Sequence, residues 1–278
     1  MKLYTLIATT TFGLEAVVKR ELIDLGFKIT RTENGKVFFE TDKNGIVKSN
    51  LWLRSADRVL LLIGEFKALD FDQLFDQIYQ IKWHEYIAKN GKVIVNAKSI
   101  KSKLFSVPNI QRISNKSIIE SLKHGYQTQV IKEDGPTYDV LISFIKDKAT
   151  VTLDTSGAGL HKRGYRIETV DAPMKETLAA AIIMLSFLEP GRILYDTFCG
   201  SGTIPIEAAL MARNIAPGLN RDFASKHWDF IGKEIWKEET KKAFLAIDHD
   251  SEVKIYASDI SEKNLNAAIE NAFEAGVD

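Results

Sequence analysis

One cysteine, Cys199, is all that the 278 residues contain, which leaves no internal disulfide and no cysteine cluster for a structural zinc. The six prolines, Pro108, Pro136, Pro173, Pro190, Pro205 and Pro217, are all isolated. No apolar run approaches the ~18 residues of a membrane span. The opening residues lack both the apolar stretch and the small-residue cleavage pattern of a secretory signal, so the expected location is the cytoplasm. Excess charge is missing too, because 37 Lys+Arg balance 37 Asp+Glu. With 45% hydrophobic and 27% charged residues, the composition excludes disordered and collagen-like classes. A length above the usual ~100–200 residues per domain predicts two or more cores.

The neutral total conceals a division. Residues 1–165 hold 25 Lys+Arg against 18 Asp+Glu, and residues 166–278 hold 12 against 19, so a front half of +7 precedes a back half of −7. A nucleic-acid-holding module joined to a catalytic one has this polarity. Chance drift of solvated surface charge produces it as well.

Residues 3–9 read as a strand and Leu14–Leu25 as a helix, with Leu14, Val17, Val18, Leu22 and Leu25 at helical spacing and Gly26 as the stop. Asn34-Gly35, between the short runs Phe27–Thr32 and Lys36–Glu40, is a hairpin signal because both residues tolerate positive φ. A helix through Ile46–Leu53 completes β-α-β-β-α, which predicts a ferredoxin-like α+β unit over residues 1–60. Strand Arg58–Phe66, helix Asp70–Gln80, strand Lys92–Ser99, helix Ile110–Tyr126 and strands Tyr138–Lys146 and Lys148–Asp154 form a second unit, residues 61–155. The linker-like Thr155-Ser156-Gly157-Ala158-Gly159 closes it. Residues 156–278 read as helix Lys175–Leu188, strand Arg192–Asp196, a glycine turn, helix Ile204–Ala212, strand Val253–Ala257 and helix Glu262–Ala275. Strand, helix, strand, helix is the opening of an α/β doubly wound parallel sheet.

In such sheets ligands bind beyond the carboxyl ends of the strands. Asp196-Thr197-Phe198-Cys199-Gly200-Ser201-Gly202-Thr203 occupies that place. Glycines there allow close backbone approach and positive φ, and the following helix N-terminus favours the negative end of a ligand. With Asp196 beside the turn, a methionine carboxylate and ammonium fit better than a pyrophosphate, which points to S-adenosylmethionine. Asp259, at the end of the next strand with Ile260 after it, is placed to accept from ribose hydroxyls. It lies 57 positions after Gly202, against ~20 in dinucleotide-binding motifs, so Asn214–Asp250 must be an insertion outside the sheet or an extension of the helix. A glycine turn alone is a weak signal, and a tight strand-to-helix turn without a ligand is the plain alternative. Cys199, with no histidine nearby in sequence, reads as a packing or backbone-contact residue.

Three stretches resemble a known family: Leu160-His161-Lys162-Arg163-Gly164-Tyr165-Arg166, Ala172-Pro173-Met174-Lys175-Glu176-Thr177-Leu178-Ala179-Ala180, and Asp196 to Ala208. They are similar to the THUMP-domain RNA methyltransferases, above all the bacterial ribosomal RNA guanine methyltransferases also described as adenine-specific DNA methylases. Ile215-Ala216-Pro217-Gly218-Leu219-Asn220-Arg221 resembles the family's insertion. The resemblance implies a ferredoxin-like unit (1–60), a THUMP domain (61–155) and the first part of a Rossmann-like class I methyltransferase domain (156–278). It also implies S-adenosylmethionine as cofactor, structured RNA, with ribosomal RNA foremost, as partner, and the exocyclic amine of a 23S guanine as acceptor. The family's acceptor motif, Asn or Asp before Pro-Pro, is not among these residues, so the expectation is a truncated chain, inactive alone, with no catalytic residue to name.

Lys98, Lys101, Lys103, Arg112, Lys116 and Lys123 lie within 26 residues that hold one acid, Glu120. They are candidate phosphate contacts, with Phe105 and Tyr126 interleaved. Lys162 and Arg163 either guide RNA toward the turn or stabilise the junction. A solvated helix face is the ordinary alternative for Arg112, Lys116 and Lys123. Two rival classes stand beside an RNA methyltransferase: an RNA-binding adaptor with a vestigial core, and a dinucleotide oxidoreductase, disfavoured by Ile204-Pro205 where a third glycine belongs. A DNA adenine methylase also stays open, since a basic patch does not distinguish RNA from DNA.

Overall fold

The computed structural model describes residues 2–168, 173–189, 191–251 and 253–278. Ala172, from the second family-like stretch, and Pro190, one of the isolated prolines, lie outside the described residues. Strand β1 (Tyr4–Thr9) runs antiparallel between β3 (Lys36–Thr41) and β4 (Arg58–Lys67). The Asn34-Gly35 turn joins β2 (Lys28–Glu33) to β3, with Gly35 at φ 70°. Helices α1 (Glu15–Asp24) and α2 (Lys43–Trp52) pack against these strands. The start of α2 precedes its apolar period because Asp42 caps it, accepting from the Gly45 N–H at 2.9 Å.

On its other edge β4 pairs with β7 (Lys148–Asp154), followed by β6 (Thr137–Ile145) and β5 (Lys92–Ile100), the last parallel to β6. Helices α3 (Phe71–Tyr79) and α4 (Val107–Gly125) pack on each other, and α4 on β5. All seven strands form one mixed sheet in the order β2-β3-β1-β4-β7-β6-β5. The expected border at residues 60 and 61 therefore falls inside β4, a strand that both front units share.

Farther along come α5 (Glu176–Ser186), β8 (Ile193–Asp196), α6 (Thr203–Ala212), α7 (Lys233–Leu245), β9 (Lys254–Ala257) and α8 (Glu262–Ala275). Strands β8 and β9 pair in parallel, Ile193 opposite Lys254 and Asp196 opposite Ala257. Helix α7 was not expected from the sequence. It belongs to the insertion, which lies outside the β8-β9 sheet and packs on the front half. Trp228 stacks on Tyr138 at 4.8 Å, Phe230 meets Tyr4 edge-on at 5.4 Å, and Phe223 stacks on Trp236. Trp228, Trp236, Phe223 and Ile231 are buried in the same core as Leu6, Phe39 and Tyr138. Gly218 permits the approach, since a β-carbon there would sit 2.8 Å from Leu51 Cα, while its N–H donates to Leu51 O at 2.9 Å. No helix among the described residues is long and apolar enough to cross a membrane.

Candidate functional site

The C-terminal ends of β8 and β9 are tied together before either chain turns. Ser258 N–H donates to Asp196 O at 2.9 Å and Cys199 N–H to Ser258 O at 3.0 Å. Asp196 Oδ1 then accepts from Phe198 N–H at 3.2 Å. Gly200 and Gly202 both sit at positive φ, 54° and 81°, the left-handed region that glycine enters without strain. Helix α6 starts with no side-chain cap, which leaves its first-turn N–H groups for a ligand.

A cavity of about 350 Å³ opens over this turn, lined by Asp196, Phe198, Cys199, Gly200, Ser201 and Thr203 together with Pro173, Met174, Ile204 and Asn264. Its size falls in the ~300–1,000 Å³ range of small-molecule sites. Six of the ten expected cofactor residues thus meet in one place. Thr197 is exposed beside it, and Ile260 is fully exposed at the end of β9. Gly202 faces away from the cavity, and a β-carbon on it would come within 2.9 Å of Ala268 Cβ. Its smallness therefore serves the close packing of α8 on the turn rather than the approach of a ligand.

Asp259 stands directly behind the bend. Its Oδ2 accepts from Gly200 N–H at 2.9 Å, and its Oδ1 accepts from Ser261 N–H at 2.9 Å and Asn264 Nδ2 at 3.2 Å. Those bonds, the Ser261 N–H foremost and then Gly200, hold its carboxyl below the usual range. A carboxylate offers about four acceptor positions. Three are used inside the turn, so Asp259 shapes the turn and has one acceptor position left over. Burial, then Asp196 and Asp259, push the Cys199 thiol up, which keeps it protonated and suits the packing role over a nucleophilic one.

Sequence reasoning missed the residues that hold the turn from the linker side. Arg166 Nη2 donates to Thr203 Oγ1 and to Met174 O, both at 2.9 Å, its Nη1 reaches Ser201 Oγ at 3.4 Å, and its Nε pairs with Glu176 at 2.9 Å. Asn271, fully buried on α8, donates to Ser201 O at 3.1 Å and accepts from Ile167 and Glu168 N–H. A lone arginine or asparagine carries no periodic signal. Only the family-like stretch ending at Arg166 marked the place.

The basic candidates divide. Lys98, Lys101, Lys103, Arg112 and Lys116 are exposed around β5 and the outer face of α4, with Phe105 exposed among them. Lys123 is paired with Glu120 at 3.0 Å. Lys162 is exposed. Arg163 is not available to RNA: its side chain is 2% exposed, it pairs with the wholly buried Glu207 at 3.3 Å, and it donates to the carbonyls of Leu160 and Arg54. The guanidinium is consumed by the junction between the two halves, which overturns the RNA-guiding alternative for this residue.

Three family models match in succession: an RlmL ferredoxin-like domain over residues 5–60, a THUMP domain over 68–154, and an RMKL-like methyltransferase domain over 163–278. The Bacillus subtilis (strain 168) protein named "Putative RNA methyltransferase YpsC" is 50% identical over 279 residues, covering 100% of this chain and 72% of that protein. The chain belongs to the THUMP-domain methyltransferases. S-adenosylmethionine is the methyl donor of this THUMP-domain methyltransferase. The crystal structure titled as a predicted N6-adenine-specific DNA methylase from Listeria monocytogenes superposes with a TM-score of 0.96 at 45% identity, covering 100% of this chain and 73% of that one. SMU.472, titled a putative methyltransferase complexed with SAH, superposes with a TM-score of 0.95 at 42% identity, covering 100% of this chain and 74% of that one.

Proposed function

We propose that this THUMP-domain methyltransferase acts on structured RNA, ribosomal RNA foremost, and transfers a methyl group to the exocyclic amine of a guanine in 23S ribosomal RNA. The front half holds the RNA, and residues 156–278 form the donor-binding opening of a Rossmann-like domain in the cytoplasm. The proposed boundaries are 1–60, 61–155 and 156–278, with β4 common to the first two units. The observation that carries the reading is the convergence of the Gly200 N–H and Asp259 at 2.9 Å, which joins the turn and the neighbouring strand into one donor site.

The residues present fit the donor. Free N–H groups at the start of α6 and the hydroxyls of Ser201 and Thr203 suit a carboxylate, Asp196 suits an ammonium, and the position left on Asp259 suits a ribose hydroxyl. Phe198 and Ile260, 88% and 103% exposed, supply apolar surface beside the turn for the purine. When bound, S-adenosylmethionine supplies an electrophilic methyl group, so the chain's task is orientation. Lys98, Lys101, Lys103, Arg112 and Lys116 are the phosphate contacts of the proposal, with Lys162 beside the junction and Lys123 a weaker member. Asn-Pro-Pro and Asp-Pro-Pro do not occur in these residues, and turnover by residues 1–278 alone is not part of the proposal.

Isothermal titration with S-adenosylhomocysteine tests the donor site. The expected result is binding by the chain that Asp259→Ala abolishes. Absence of binding would favour an RNA-binding adaptor. For the acceptor, labelled methyl transfer by the protein is measured on ribosomal RNA and on duplex DNA, and transfer to adenine in DNA alone overturns the RNA reading.

A further inference from the structure

The segment from Leu160 to Glu168 runs as a strap between the front half and the glycine turn. At its start Leu160 N–H donates to Asp57 O at 2.8 Å, and at its end Asn271 holds Ile167 and Glu168 against Ser201. Near that end one side chain, 14% exposed, reaches four acceptors on two separate segments, Met174–Glu176 and Ser201–Thr203. Of the residues Arg166 touches, Met174, Ser201 and Thr203 line the cavity.

We propose that Arg166 is a positioning residue for the amino-acid end of the methyl donor, acting through the hydroxyls of Ser201 and Thr203. The inference rests on the donor-site reading above. A hydroxyl has one proton to give and two lone pairs to offer. When Arg166 occupies a lone pair on each oxygen, neither hydroxyl proton can be spent on that side, and both are directed elsewhere. Ser201 and Thr203 are buried, 3% and 5% exposed, and the space left beside them is the cavity. Two O–H donors facing a cavity at a helix N-terminus select a carboxylate. Glu176 occupies the Nε side of the guanidinium, so its remaining fork is aimed at the turn. A lysine cannot reproduce this, because it carries a compact charge rather than a planar fork with five donors.

The test compares two ligands that differ in the amino-acid portion, S-adenosylhomocysteine and 5′-methylthioadenosine, by calorimetry on the whole chain. Arg166→Met is expected to weaken S-adenosylhomocysteine by about tenfold or more, the scale of one lost charge-assisted hydrogen bond, and to leave methylthioadenosine within about twofold of the unaltered chain. Arg166→Lys is expected to restore part of the loss with the same selectivity. Equal weakening of both ligands would mean that Arg166 only stiffens the region, and unchanged affinity for both would mean that it does nothing for the donor; either outcome overturns the proposal. Should Arg166→Met fail to fold, Arg166→Lys carries the same comparison. If the unaltered chain binds neither ligand, the donor-site reading itself fails, a result distinct from failure of the positioning role.

Discussion

Replacing Arg163 by methionine separates a junction residue from an RNA contact. The guanidinium is buried against a carboxylate with no exposed surface, and three acceptors depend on it: Glu207 Oε1, Leu160 O and Arg54 O. After the change Glu207 keeps one hydrogen bond, from the Tyr165 hydroxyl at 3.2 Å, and its Oε2 is already without a partner. Breaking a buried pair by removing one member costs about 3–5 kcal/mol, because the survivor stays charged and desolvated. At ~2–4 °C per kcal/mol for chains of this size, the melting temperature should fall by roughly 6–20 °C. Arg163→Met/Glu207→Leu should recover part of that loss, because the uncompensated carboxylate is gone while the carbonyls of Leu160 and Arg54 still lack their donor. Circular-dichroism melts of both variants read the stability. Filter binding of RNA at several salt concentrations, well below the melting temperature, reads the contact. A loss under about 1 kcal/mol, or a double variant no better than the single, refutes the junction argument. A salt slope shallower by about one unit would return Arg163 to the phosphate contacts.

Gly202→Ala should destabilise the chain by about 1–3 kcal/mol, because it adds a left-handed backbone penalty to a 2.9 Å contact with Ala268; urea unfolding measures this, and Ala268→Gly should relieve only the contact. Arg112→Gln and Lys116→Gln should each lower the salt slope of RNA binding by about one unit without changing the melting temperature, whereas unaltered slopes would leave α4 an ordinary solvated face. Burial pushes the Glu21 carboxyl up, against the hydrogen bonds from Ser55 and the Arg54 N–H. The folded state therefore holds that proton more tightly than the unfolded one. Its contribution is complete below the unfolded value of 4.5 and is lost as pH rises through the raised one. Stability measured across that window should decline less in Glu21→Gln than in the parent.

Most of the strands and helices were legible because alternation and helical spacing are strong where one face is buried. β7 (Lys148–Asp154) and α8 (Glu262–Ala275) agree at both ends with their sequence limits. Where limits shifted, end chemistry decided: Asp42 starts α2 early, and Pro108 lies in the first turn of α4 ahead of its apolar period. Helix α7 was hidden because it buries only Trp236, Glu239 and Ala243, too sparse a stripe to stand out among its lysines and glutamates. At the site, the glycines and the acid at the strand tip could be read locally. Arg166 and Asn271 could not, since their roles come from contacts 35 to 104 residues away in the chain. The same distance effect misplaced Arg163, whose partner Glu207 lies on another element.

The aromatic residues of the insertion carry a last consequence. Trp228 and Trp236 originate in the methyltransferase portion yet are rooted in the interior of the front half. The two portions are thereby fixed like the jaws of a caliper rather than joined by a tether. Under the proposed function, an RNA gripped on α4 would present only nucleotides that its own folded shape brings to that set distance. Target choice would then belong as much to the three-dimensional form of the nucleic acid as to its base sequence.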